Sequence, residues 1–138
     1  TDAQRAIMDC INAMGVTTEW GQCARMMFSA CADNEVGTDA HLACLTTEHD
    51  GWREAMDGER LALVDELTTK GVTELSQVME QWFGYVAKKY TEVALGKPKV
   101  AAEAAQTGCE ISEMAGVTTE FVACRQGKST APYCVPRK

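Results

Sequence analysis

Four of the seven cysteines form a symmetric array, C-x12-C-x7-C-x12-C, made by Cys10, Cys23, Cys31 and Cys44. No other feature of the sequence restricts the fold as much. The inner pair sits on Thr17–Asp33 (TTEWGQCARMMFSACAD), which reads as one amphipathic helix. If the flanking segments are helical too, each outer cysteine lies about as far from its connecting turn as its inner partner does. Antiparallel hairpins then bring the members of each pair face to face. The spacing predicts bridges Cys10–Cys23 and Cys31–Cys44, and a third, Cys109–Cys124, across a later connection. Each closes a loop of about fifteen residues, worth roughly 3 kcal/mol in the chain-entropy account. Seven thiols leave one over. Cys134 is the expected odd cysteine, free or in an intermolecular disulfide; the alternative folds it back onto Cys31 or Cys44.

Such a thiol content suits an oxidising compartment. There is no CxxC spacing, and His41 and His49 stand outside any paired Cys/His ligand arrangement, so a metal site is not expected. The chain begins Thr1-Asp2-Ala3 without Met, which predicts a mature end left by signal-peptide removal and a periplasmic or secreted location. No run of eighteen apolar residues is present, so no membrane span is expected. Twenty acidic against thirteen basic residues give a net charge of −7. Phosphate backbones repel such a surface, which argues against nucleic acid and for a basic protein partner.

Helical periodicity dominates, and strand signals are nearly absent. Ala3, Ile7, Cys10, Ile11 and Met14 share one helix face, and Gly15 should end that helix. The corner Gly15-Val16-Thr17-Thr18-Glu19 recurs as Gly71-Val72-Thr73-Glu74 and Gly116-Val117-Thr118-Thr119-Glu120, with Gly37-Thr38-Asp39 a looser copy. Each reads as a glycine stop followed by a threonine N-cap. Helices are therefore expected over Thr38–Met56, over a short piece with Leu61, Val64 and Leu67 inward, from Thr73 to Gly96, up to Met114, and from Thr118. The fold class is all-α: a disulfide-stapled bundle of six or seven helices built from antiparallel helical hairpins. Residues 1–126 form its single domain, and 127–138 a loose C-terminal tail.

No catalytic signature is evident, and no cofactor is expected. The seven methionines fall at core-stripe positions, so packing explains them better than copper ligation. The GVTTE corners carry one glycine each, and an acidic first turn repels phosphate. One stretch, EHDGWREAMDGE, could contact a basic partner through Glu48, Asp50, Trp52, Asp57 and Glu59. Against this, Trp52 lies on an apolar stripe.

Asp9-Cys10…Thr17-Thr18-Glu19…Cys23, then Gln81-Trp82…Tyr85, Cys109 and Thr118-Thr119, together resemble the LprI-type lysozyme inhibitor family over residues 8–126. That resemblance implies a small exported helical protein with disulfides that inhibits a lysozyme. The chain departs from the family pattern after Trp82, where Val86-Ala87-Lys88-Lys89-Tyr90 replaces an Arg-Asp…Cys stretch. It also lacks the Leu-Asn…Tyr stretch after the second cysteine and the final arginine, and Cys31 and Cys44 look like additions. The function expected is non-catalytic protein binding, with inhibition of a basic lysozyme as its specific form. The alternative is a structural or accessory subunit of an envelope or periplasmic complex. A thiol-redox enzyme would need a depressed cysteine pKa.

Overall fold

The computed structural model describes residues 1–14, 23 and 31–135. The predicted central helix Thr17–Asp33 falls largely outside them, as do the Gly15 corner and residues 136–138. Among the described residues four long helices account for the fold: α1 (Asp2–Met14), α2 (Asp39–Glu66), α3 (Thr69–Ala94) and α4 (Lys99–Arg125). A short 3-10 turn follows at Pro132–Cys134. Among the described residues the architecture is all-α with three disulfides, as the sequence predicts, and the helices are fewer and longer than the six or seven expected.

The difference lies in four glycine positions. Gly51 and Gly58 do not divide α2, because its buried stripe of Leu45, Trp52, Ala55, Met56 and Leu63 keeps helical period across both. Gly51 is instead a contact point: a Cβ built there would lie 2.7 Å from the Ala3 Cβ, so its hydrogen lets α1 press against α2. Leu61, expected inward, is 60% exposed, and Leu63 takes its place in the core. Gly71 does not stop a helix either. Helix α3 starts earlier, at the Thr68 N-cap, whose hydroxyl accepts from Gly71 N at 3.1 Å.

The Gly116 corner is likewise helix interior. Ile111, Met114, Ala115, Thr118, Phe121 and Val122 form one unbroken buried stripe along α4. Thr118 and Thr119, which resemble caps in sequence, donate their hydroxyls to the carbonyls four residues back, at Met114 and Ala115. That leaves no buried hydroxyl unpaired, so the helix continues. The one described corner that does start a helix is the loosest copy. Gly37 takes φ +92°, which favours glycine, and the Thr38 hydroxyl accepts from His41 N at 3.2 Å.

Two staples match the spacing: Cys10–Cys23 and Cys31–Cys44. The third does not. Cys109 and Cys124 occupy one helix, and fifteen residues at 1.5 Å each set them about 22 Å apart, beyond any bridge. Cys124 bonds Cys134 instead, and Cys109 is the free cysteine. Cys134 is thus buried and bonded, and an intermolecular bridge through it is ruled out. The described part of the tail, 127–135, docks rather than hangs loose: Tyr133 is buried, and its carbonyl sits where a Cβ on Gly71 would come within 2.8 Å.

The helices pack in the order α1, α2, α4, α3. Helix α1 lies against the middle of α2, with Ala3 and Ile7 over Gly51 and Gln4 beside Glu54 and Gly58. Helices α2 and α4 form the most extensive contact and run parallel, as His49–Glu110 toward their middles and Glu66–Arg125 at their C-terminal ends show. Helix α3 is the return leg between them, antiparallel to α4, and the 3-10 turn closes on it.

Candidate interaction surface

Helix α3 touches the rest of the molecule through Leu75, Met79 and Val86, with Trp82 half-buried beside them. Its partner α4 turns its main stripe toward α2. The seam between α3 and α4 is therefore incompletely filled, leaving a groove of about 550 Å³. Val78, Met79 and Trp82 line one wall, Gly116, Val117 and Phe121 the other, and Tyr133 bounds it as well. Val78 on its lip is 44% exposed.

Carboxylates border the apolar walls. Glu113 Oε1 takes a 2.9 Å bond from Lys89 Nζ, and this hydrogen bond, with the charge behind it, raises the lysine pKa above its usual value. Lys89 also lies 5.7 Å from the centre of the Tyr85 ring. Glu120 Oε1 accepts from Ser129 Oγ at 2.7 Å and from Tyr133 Oη at 3.5 Å. Burial, and then the Glu120 charge, push the Tyr133 phenol well above its ordinary range. Glu120 has hydroxyl partners but no cation among the described residues, so its charge faces the groove uncompensated.

A second trough of about 600 Å³ continues past Lys89 and Ser112 to Leu95 and Lys97, with Cys109 in its wall. Burial raises the Cys109 thiol pKa; Lys89 opposes that shift, and Glu113 and Glu110 add to it. A thiol held in its protonated form is a poor nucleophile, which weakens the thiol-redox reading. Elsewhere His49 joins α2 to α4, its Nε2 lying 2.7 Å from Glu110 Oε2 and its Nδ1 3.6 Å from Asp50 Oδ1. Among the described residues no three His, Cys, Asp or Glu side chains are grouped to hold a metal ion.

The acidic stretch keeps its tryptophan inward, as its place on the apolar stripe suggests. Trp52 is fully buried, so no aromatic anchor is presented there. Glu59 bonds Arg125 Nη1 at 2.8 Å, and Glu66 holds the same guanidinium at 2.7 Å. Asp57 lies 4.0 Å from Arg53, and exposed Asp50 sits beside His49. Glu48 is partly buried, and its Oε2 finds no hydrogen-bond partner.

Desolvation raises the Glu48 pKa, so the folded state holds this proton more tightly than the unfolded chain. Stability then falls as pH rises from the ordinary carboxylate range through the raised folded value. Glu48→Gln is expected to stabilise the protein at neutral pH, with the gain disappearing below the unfolded pKa. Urea titrations of both proteins at acidic and neutral pH check this; an equal difference at the two pH values contradicts it.

Comparison with protein-family models, curated proteins and solved structures returned no match for this chain. Its function must be read from its own surface. Helical periodicity places Val78, Met79 and Trp82 on one side of α3 but misses Val117, Glu120 and Phe121, where the GVTTE motif reads as a corner, and Tyr133, in a segment that reads as a loose tail. The signal for the α4 wall is the apolar stripe from Ile111 to Val122, which keeps period through Gly116.

Proposed function

We propose that the protein is an exported, non-catalytic protein-binding module that receives a basic partner in the α3–α4 groove. The observation that carries this reading is the groove itself. Half-buried Trp82 and exposed Val78 stand on an apolar cleft bordered by the unneutralised Glu120 carboxylate. Aromatic side chains beside a pocket supply most of the energy in protein interfaces. The net charge of −7 supplies long-range attraction for a cationic protein, and with it fast, salt-sensitive association. Three disulfides are consistent with an oxidising compartment, and no described helix is long and apolar enough to cross a membrane.

The likeness to LprI-type inhibitors makes a basic lysozyme the first partner to test. A lysozyme assay with excess protein should show inhibition that weakens as salt is raised. Val78→Asp, on the groove lip, should relieve that inhibition without changing the melting temperature. Unchanged lysozyme activity at excess protein rejects the inhibitor form. Co-purification with an envelope complex under the same conditions would favour the accessory-subunit reading.

A further inference from the structure

The side of α3 turned away from the groove carries a ridge that the fold leaves uncovered. Glu80, Gly84 and Lys88 follow one another at four-residue steps, opposite the core stripe of Leu75, Met79, Trp82 and Val86, and all three are exposed. Glycine weakens a helix interior, yet a Cβ built on Gly84 meets nothing within 4 Å. The chain's own packing therefore does not call for a glycine there. Phe83 and Tyr85 flank it, 51% and 53% exposed. Neither Glu80 nor Lys88 is ion-paired among the described residues.

We propose that this ridge is a self-association surface: two copies pack α3 against α3, antiparallel, about a two-fold axis at Gly84. In such a pair, positions equally far before and after Gly84 come level across the interface. Glu80 of each copy then meets Lys88 of the other, twice. A parallel pair would set Glu80 against Glu80 and Lys88 against Lys88. The charges thus select a second copy of this chain in one orientation. The missing side chain at Gly84 lets the two i±4 ridges approach closely at the crossing, while Phe83 and Tyr85 close its two edges. A contact of one helix ridge lies at the small end of specific interfaces, so the dimer forms and dissociates with concentration. The ridge Glu80, Gly84 and Lys88 lies on the side of α3 away from the groove, while Tyr85 at its edge neighbours the groove-lining Lys89.

Sedimentation velocity from micromolar to millimolar protein should show a monomer converting to a dimer. Gly84→Gln should raise the melting temperature of the monomer, since helix propensity improves and nothing clashes, while weakening dimerisation by about tenfold or more. Glu80→Lys and Lys88→Glu should each weaken it by a similar factor, and the double exchange E80K/K88E should restore it to about the wild-type affinity. Cys109→Ser should leave it unchanged. A monomer throughout the range overturns the proposal. So does a dimer that tolerates Gly84→Gln, a double exchange no better than either single variant, or a dimer lost on replacing Cys109. Circular dichroism on each variant separates loss of pairing from loss of fold.

Discussion

Trp52→Ala is expected to remove about 3–5 kcal/mol of stability, the usual cost of emptying a fully buried aromatic site. Trp52 shows no solvent exposure and sits mid-way along α2, within the cluster that also holds Ile7, Leu45, Met56 and Ile111. A domain of this size has about 5–15 kcal/mol in total, so the variant should lose roughly a fifth or more of it. The indole N–H, however, finds no acceptor. Trp52→Phe keeps an aromatic ring and deletes that unsatisfied donor, two effects that partly cancel. Its loss should stay near about 1 kcal/mol. Urea midpoints of the three proteins measure both numbers. Equal losses for Ala and Phe would mean that the N–H is bonded after all. A negligible loss for Ala would put Trp52 on the surface.

The second large effect concerns the third staple. Cys124 and Cys134 are separated by 10 residues, and a loop of that length is worth about 2–3 kcal/mol by the entropy it removes from the unfolded chain. Cys124→Ala/Cys134→Ala should lower stability by about that amount. It should also release the 3-10 turn from α3, and the Tyr133 phenol should then fall back toward its ordinary pKa, because burial is the main cause that raises it. An absorbance titration of tyrosinate formation reads this directly. If the high-pH step does not move, the turn is held by its contact over Gly71 and by Glu120 rather than by the disulfide.

The course of that staple shows where reading a sequence of this kind succeeds and where it stops. Cys10–Cys23 and Cys31–Cys44 are legible from their equal spacing in the sequence alone. The Gly37–Thr38 corner is legible from turn chemistry. Gly116-Val117-Thr118-Thr119 has the same chemistry but a different outcome, because its threonines find carbonyls one turn back and its flanking apolar residues stay in period. Local signals offer the helix a stop; burial of Thr118, Phe121 and Val122 overrides it. The error then propagates. With a corner at Gly116, Cys109 and Cys124 look like partners, Cys134 looks spare, and the wall of the groove formed by Val117, Phe121 and Tyr133 cannot be seen. Val78, Met79 and Trp82 are the part of the site that sequence periodicity does place, because their stripe on α3 contains no competing turn motif. Gly51 is the reverse case, a residue that weakens a helix on paper but permits the closest approach of α1.

The parallel pairing of α2 and α4 has a kinetic consequence. Helices joined by a tight turn can zip from the turn outward, but these two cannot meet until all of α3 has been traversed. Their contacts therefore carry high contact order, and ring closure over that span must precede the main burial step. A helical protein built this way should fold more slowly than its helix content suggests. Its last amides to exchange with solvent should lie in α2 and α4, and the outer turns of α3 should open first.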